Sequence, residues 1–482
     1  MGGQSEGKVK ANASRVDPSA PAFRLIEDYQ YYTIGLMVFA FSFFIHSGCP
    51  FCPGEYSDIY NVFWQVFGSG ERWFTGTVNA IGLPYSDYRF EYPPVIACLF
   101  YVSSAISLNL ARWTDVARDN AFYIVFTLAF LLPAYMLYLS AVKTTSKLFS
   151  THWSRLLFAA AGFGVAYYVV YNFDIIAITF AMFSLLLLVR GKIRTAGFLL
   201  GLSVASKVIP GVILLPCFLY LARKNIRSSV GFLLSFVLTV AIAFAPVYVL
   251  ALKGLDVMML EWHVSQTAVM YCENCFYVMI VSELENPTMR LASQILMIAV
   301  PLGVMLATSH PDKNVKLIRR SLLMIPALVS VSYVYSPQMN VMIAPAYLLA
   351  SSPLAFGVLA LSDLLNVLIM VFFFRPEILC SIFRIWSCPA VWGRESPIQW
   401  IAFSRIVLLW VFIVACTISS KGKLRIPGFL RATDAWRAKK GLDTPPRDDQ
   451  GQSELQEEWR SAGNTHSACL THGFQQIWNQ TR

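Results

Sequence analysis

Hydrophobic positions along this chain do not alternate with polar ones at strand or surface-helix spacing; they run on. The windows 34–45, 121–139, 175–189, 231–250, 354–374 and 401–418 are apolar almost throughout. Many approach the roughly 20 apolar residues that a helix needs to cross a hydrocarbon core. Polar residues gather between these windows and towards the two ends of the chain. The pattern predicts an all-α multi-pass membrane protein with about ten to twelve membrane segments, some short or re-entrant, and outer loops carrying short helices.

Lysine and arginine orient the segments, because cytoplasmic loops collect them. With the N-terminus inside, a span at about 30–46 ends outside and a long outer loop, 47–93, follows. The next apolar piece, 95–110, is short and holds Ser103, Ser104, Ser107 and Asn109. As a crossing it would strand Lys143, Lys147 and Arg155 outside; as a re-entrant or interfacial piece it lets 120–141 bring all three inside. The second reading is the one expected here. The chain then rises to Asn172 and descends to Arg190, Lys192 and Arg194. A broken hairpin follows, 195–207 and 208–222, each arm about 20 Å long at 1.5 Å per residue, with Pro210 at the break. Span 230–251 leads to a second outer loop, 252–288, and 290–307 descends to Lys313, Lys316, Arg319 and Arg320. A second broken hairpin, 321–336 and 338–352, has Ser336-Pro337 at its outer tip. Span 354–374, a third outer loop (375–399) and span 401–418 complete a membrane domain of residues 30–420.

Composition agrees. The 482 residues are 56% hydrophobic and 14% charged, against about a quarter charged in a soluble protein. The net charge of +10 would suit nucleic acid, but the basic residues sit in short clusters between apolar segments, which excludes that partner. No cleavable signal peptide is expected; residues 1–29 read as a disordered cytoplasmic tail. Residues 421–482 read as a basic and then disordered cytoplasmic tail, the basic part suited to an anionic leaflet. Cysteines give an independent check on topology. Cys49, Cys52, Cys272, Cys275, Cys380 and Cys388 all fall in the three outer loops. Six on one face point to an oxidising compartment and disulfides, while the two C-x-x-C pairs leave a four-thiolate zinc site open.

Polar chemistry collects on the same face. The first outer loop carries Glu55, Asp58 and Tyr60, and ends in Asp87, Arg89, Glu91 and Tyr92 before Pro93-Pro94. Asn172 and Asp174 cap the outer end of two spans. Lys207 stands at the break of the first hairpin, where an intramembrane lysine costs about 2.5–3.5 kcal/mol on insertion scales and so marks function by default. Broken helices are tolerated where they line a cavity or are buried in protein. Glu261, His263 and Gln266 lie in the second outer loop. Arg405 lies inside the last span near its outer end, where snorkelling alone would account for it.

Four stretches in order carry a family resemblance: Tyr56-Ser-Asp58-Ile-Tyr60; Glu91-Tyr92-Pro93-Pro94; Asn172-Phe-Asp174 with Arg190-Gly191-Lys192, Ala196-Gly197, Gly201-Leu202 and Lys207-Val-Ile-Pro210; and Tyr335-Ser336-Pro337-Gln338. Together they resemble the polyprenol-phosphate-sugar-dependent glycosyltransferases of the GT-C superfamily, nearest the α-mannosyltransferases of phosphatidylinositol mannoside assembly and, more distantly, the catalytic subunit of GPI mannosyltransferase I. The chain departs from that pattern in three places. Asp58 stands without a second aspartate, Lys-Val-Ile-Pro replaces Lys-x-Tyr-Pro, and the cysteine pairs are not a family feature.

The resemblance implies a GT-C-like fold and transfer of a sugar, mannose foremost, from a polyprenyl or dolichyl monophosphate to a lipid-linked or glycan acceptor, with inversion. It implies Asp58 as catalytic base, with Lys207, Arg89 or Arg405 on the donor phosphate, in preference Lys207 and then Arg89. Glu55, Tyr60, Glu91, Tyr92, Asn172, Asp174, His263 and Gln338 would line the substrate pocket. No cofactor is expected, and no metal is required, since lysine or arginine can help a lipid phosphate to leave. The expected partners are the lipid-phosphate sugar, the acceptor and the membrane, with room for a small membrane subunit. The expected location is the cell membrane, or the endoplasmic reticulum membrane in a eukaryote, with the site on the extracellular or lumenal face. A transporter or lipid flippase would also use broken helices and buried charges. Against it, the polar residues crowd the outer boundary rather than the midplane. A non-catalytic assembly subunit is the third reading.

Overall fold

A chain surrounded by lipid must satisfy its own N–H and C=O groups, and a helix does so within one segment. The computed structural model describes residues 21–47, 56–60, 83–86, 90, 92–114, 118–251, 274–281, 286–308 and 314–419, and every regular element among them is helical. All lie in one compact unit, Met1–Lys423. The helices are α1 (Pro21–His46), α2 (Pro94–Trp113), α3 (Arg118–Phe126) continued through a π-helical turn (Thr127–Leu131) into α4 (Leu132–Leu148), α5 (Trp153–Ala161) and α6 (Phe163–Tyr168). Then come α7 (Asp174–Val189), α8 (Ile193–Ser206), α9 (Leu214–Lys224), α10 (Ile226–Ala251), α11 (Pro287–Ala307) and α12 (Asn314–Val329). The last are α13 (Asn340–Ile343), α14 (Pro353–Phe373), α15 (Pro376–Ile382) and α16 (Pro397–Ser419).

Six helices among the described residues are long and apolar enough to cross a membrane: 94–113, 120–148, 226–249, 287–307, 353–373 and 397–419. Asp174–Val189 and Ile193–Ser206 are apolar but shorter. The expectation of ten to twelve segments counted hairpin arms, and breaks cut those arms short of a crossing. The first hairpin breaks after Ser206, turns through a 3-10 segment (Ile209–Ile213) and returns as α9. The second rises as α12, turns at 330–336 and returns through Pro337–Met339, α13 and Ala344–Leu349. Helix α1 starts at Pro21, so part of the expected N-terminal tail is helical.

Named contacts sort the bundle into two ends. At one, Lys143 pairs with Asp28 of α1, Arg155 donates to the Ser351 carbonyl at 3.2 Å, and Ser235 donates to the Arg194 carbonyl at 2.7 Å. Arg320 donates to Thr308 there at 2.9 Å, so the basic residues between the spans collect at this end. At the other end the Asp58 N–H donates to the Tyr171 carbonyl at 3.1 Å. The Tyr60 hydroxyl there reaches both the Ser47 carbonyl at 2.7 Å and Asn120 at 2.6 Å.

Helix α2 differs from its sequence reading. It is one unbroken helix of 20 residues, not a short piece, because its buried serines bond their own backbone: Ser104 to Phe100 at 2.9 Å and Ser107 to Ser104 at 3.0 Å. It nevertheless does not run straight to the basic end. Tyr92, just before it, packs edge-on against Phe173 with ring centroids 4.7 Å apart, while Asn120, just after it, bonds Tyr60. A helix of that length spans about 30 Å, and the five links from Trp113 to Arg118 reach back at most about 18 Å. Helix α2 therefore lies steeply inclined across the Asp58 end.

Close helix packing fixes the arm that carries Lys207. Gly197 and Gly201 lie one turn apart on α8, and a Cβ at either would collide with Phe232 or Thr239 of α10. Small residues four apart let two helix backbones approach within a membrane, which holds the C-terminal end of α8 in place.

Candidate active site

Residues 56–60 dock onto the turn between α6 and α7. Besides the Asp58 N–H, the Ser57 hydroxyl donates to the Tyr171 carbonyl at 3.3 Å and accepts from the Ile59 N–H at 3.2 Å. The Asp58 side chain is thereby turned inward and the residue is only 8% exposed. Two amides meet the same carboxylate oxygen. Asn172 Nδ2 donates to Asp58 Oδ2 at 2.6 Å and Gln338 Nε2 to that oxygen at 3.4 Å. Asn172 is itself oriented, because its Oδ1 accepts the Phe173 N–H. Hydrogen bonds to an ionised acceptor are about twice as strong as neutral ones, so these amides stabilise the carboxylate and fix its plane.

Two residues beyond Asn172 the chemistry becomes cationic. Asp174 opens α7, where a carboxylate is favoured by the helix dipole, and its Oδ1 lies 2.8 Å from Lys207 Nζ. Lys207 is the residue at the hairpin break. Its backbone is extended, φ −159° and ψ 133°, and its N–H still closes onto the Ser203 carbonyl at 2.9 Å. The break thus carries the ammonium out of the α8 face and onto the start of α7. Both residues are buried, and Asp174 Oδ2 has no hydrogen-bond partner among the described residues. An ammonium has three donors, and Asp174 engages one. The segment Asn172-Phe173-Asp174 therefore carries a fixed carboxylate on one side and an incompletely satisfied ion pair on the other. Between them the Phe173 ring packs on Tyr92 and, at 5.4 Å, on Phe126 just before the π-helical turn.

The other expected site residues separate. Tyr60 stacks on Tyr123 at 4.6 Å. Tyr92 packs beside Phe173 and accepts a hydrogen bond from Tyr85 at its carbonyl. Glu55, Arg89, Glu91, His263, Cys49, Cys52 and Cys272 lie outside the described residues. Cys380 and Cys388 form a disulfide. Cys275 is also disulfide-bonded, which takes it out of any thiolate zinc site. Among the described residues no group of His, Cys, Asp and Glu could hold a metal ion.

Arg405 is not at a lipid boundary. It is wholly buried, with its guanidinium 3.6 Å from the Tyr335 ring centroid. It donates to Asn366 Oδ1 at 2.5 Å, the Asn274 carbonyl at 2.8 Å and the Tyr335 carbonyl at 3.2 Å. Its surroundings are not evident from the sequence. Asp363 and Asn366 sit inside the apolar window 354–374 and were absorbed into a span. Yet an ionisable residue in such a window is itself a signal, and the i, i+3 spacing to Asn366 puts both on one helix face.

No curated protein matches the chain. Residues 90–311, a little under half of it, match the model of glycosyltransferase family 87. The match takes in Tyr92, Asn172, Asp174 and Lys207, leaves Asp58, Gln338 and Arg405 outside, and supports a GT-C-type membrane glycosyltransferase.

Proposed function

We propose that this protein transfers a sugar, mannose foremost, from a polyprenyl or dolichyl monophosphate to a lipid-linked or glycan hydroxyl, inverting the anomeric carbon. The observation that carries the reading is the Asp58 carboxylate, buried and held by two amides on one oxygen, at the end of the bundle opposite the basic residues. Lysine and arginine collect on the cytoplasmic side of membrane proteins, so the Asp58 end faces the extracellular or lumenal side. A lipid-phosphate donor and an oxidising milieu for the Cys380–Cys388 and Cys275 disulfides belong on that side.

In the reaction, the acceptor O–H proton passes to the Asp58 carboxylate as its oxygen bonds the anomeric carbon. The bond from that carbon to the phosphate oxygen breaks, and the polyprenyl phosphate leaves with the electron pair. A positioned carboxylate contributes about 10²–10⁴-fold to such a step. Lys207 supplies the cation for the leaving phosphate: Asp174 holds the ammonium in place and leaves donors over. Arg89 is the second phosphate candidate, and the buried setting of Arg405 supports a different role. Tyr60, Tyr92 and Gln338 are the further substrate-contacting candidates of this reading; Glu55, Glu91 and His263, outside the described residues, remain candidates for the same role. The steeply inclined α2 and the two hairpins wall a groove for the donor chain.

The test is direct assay of the purified protein with synthetic polyprenyl-phosphate mannose, glucose and arabinose, and the lipids of its own membrane as acceptors. Release of polyprenyl phosphate coupled to a new glycolipid, with mannose preferred, is the expected outcome. Release with another sugar alone would change the substrate. No transfer from any of the three would contradict the reading.

A further inference from the structure

The turn that brings Gln338 to Asp58 has little regular structure, only a three-residue 3-10 segment (Pro337–Met339) followed by the four-residue α13. Such a segment keeps its place only through side chains that hold it. Two come from one face of α14. Asn366 Nδ2 donates to the Pro337 carbonyl at 2.7 Å, directly before Gln338. One turn earlier on the helix, Asp363 Oδ1 accepts from Asn340 Nδ2 at 2.8 Å, and Asn340 Oδ1 accepts from the Tyr335 hydroxyl at 2.8 Å. The turn is therefore gripped on both sides of Gln338 by α14.

Each grip has a buried charge behind it. Arg405 on α16 donates to Asn366 Oδ1, which orients that amide so that its NH₂ faces Pro337. Arg405 also takes the Tyr335 carbonyl and lies over the Tyr335 ring. Asp363 is held from the far side by the Gly164 N–H at 3.0 Å and the Tyr347 hydroxyl at 3.2 Å. Gly164 leaves room for this, since a Cβ there would collide with the Asp363 carboxylate. An arginine and an aspartate, buried to 0% and 5% exposure, thus bracket the turn and offset each other through neutral amides. A buried charge is tolerated only when its hydrogen-bonding groups are met with good geometry. Here both terminal nitrogens of Arg405 and both oxygens of Asp363 are met by the turn and the groups around it.

We infer that Arg405, acting through Asn366, is a positioning residue that sets the Pro337 carbonyl and so holds the Gln338 amide on Asp58 Oδ2. This rests on the proposed role of Asp58 and extends it. The carboxylate that takes the proton is aimed by an arginine on the last helix that does not touch it. The third Arg405 contact, to the Asn274 carbonyl beside disulfide-bonded Cys275, ties the segment 274–281 into the same anchor.

Asn366→Asp tests this with little change in volume. It retains an acceptor for Arg405 and removes the donor to Pro337. Gln338→Ala removes the final amide directly. Each should lower turnover by roughly tenfold, the weak end of a hydrogen bond to a charged group, while the donor KM stays within about twofold. The double variant should do no worse than either single one, because residues acting in one chain are non-additive. A second readout does not depend on transfer: the rate at which a carbodiimide labels Asp58 at fixed pH, followed by peptide mass. Loss of a donor to the carboxylate raises its protonated fraction, so both single variants should label faster, and the double no faster than either. Additive losses in the double variant, or Asn366→Asp labelling at the wild-type rate, would overturn the inference. Faster labelling in a protein that transfers no sugar would leave the positioning role standing and remove the glycosyltransferase reading instead.

Discussion

The two hairpin tips meet beside the same turn of chain but are built by opposite means. The first tip, at the end of α8, brings one charge, Lys207, and meets one charge, Asp174. The second, residues 335–340, brings only neutral groups to Asp58, and its charges, Asp363 and Arg405, stand behind it, bonded to neutral groups. The first leaves Asp174 Oδ2 unengaged among the described residues and ammonium donors to spare; the second turns its charges away from Asp58 and onto neutral groups of the protein. An ion pair with donors to spare suits a tip that must receive a ligand, and charges turned onto neutral amides and carbonyls suit one that must hold an amide still.

The contrast is broken most severely at the second tip. Arg405→Met leaves Asn366, the Tyr335 carbonyl and the Asn274 carbonyl facing an apolar side chain. Breaking a buried charged contact costs about 3–5 kcal/mol, so thermal unfolding in detergent should shift down sharply. Removing both charges, in Arg405→Met with Asp363→Leu, should not restore stability, because the neutral partners remain unmet. Recovery of wild-type stability in that pair would mean that the network is an ion pair like the first tip.

At the first tip the paired change should behave differently. Lys207→Met with Asp174→Asn leaves no charge buried alone, so the fold should persist with wild-type unfolding within experimental scatter. Donor affinity should fall by roughly tenfold to a hundredfold, the range of a hydrogen bond to a charged group. Lys207→Arg should restore part of it, since the charge returns with a different reach and fork. Unchanged donor affinity in the paired variant would remove Lys207 from the phosphate.

The smallest effect expected is on topology. In an otherwise cysteine-free protein, Thr114→Cys, at the exposed end of α2, should react with an impermeant maleimide from the non-cytoplasmic side, and Lys147→Cys should stay silent. External labelling at 147 would invert the whole bundle and put Asp58 and both tips on the cytoplasmic side.

These outcomes also bear on what the sequence could say. Runs of apolar residues and the placement of Lys and Arg gave the spans and the separation of the basic end from Asp58. Lys207 was legible because charge is rare in such segments, and the break because Pro210 follows it. Gln338 was legible only through resemblance, and nothing in its own neighbourhood announces a contact with Asp58 across 280 residues. Asp363 and Asn366 were hidden by averaging, since two polar residues hardly alter the hydropathy of a 21-residue helix. Length misled at α2, where serines that bond their own backbone let an apparently short segment continue as one helix. Arg405 was seen, but its partners come from three distant segments, and no local rule tells a snorkelling arginine from an anchored one.

Asp58 carries the proposed chemistry. Asp58→Asn keeps the size of the side chain, so the site should remain filled while the base is lost. Turnover with polyprenyl-phosphate mannose should fall by about 10²–10⁴-fold, and the donor should still bind with near wild-type affinity. Transfer at a rate close to wild type in Asp58→Asn, under conditions where donor binding is intact, would contradict the assignment of the base and with it the mechanism.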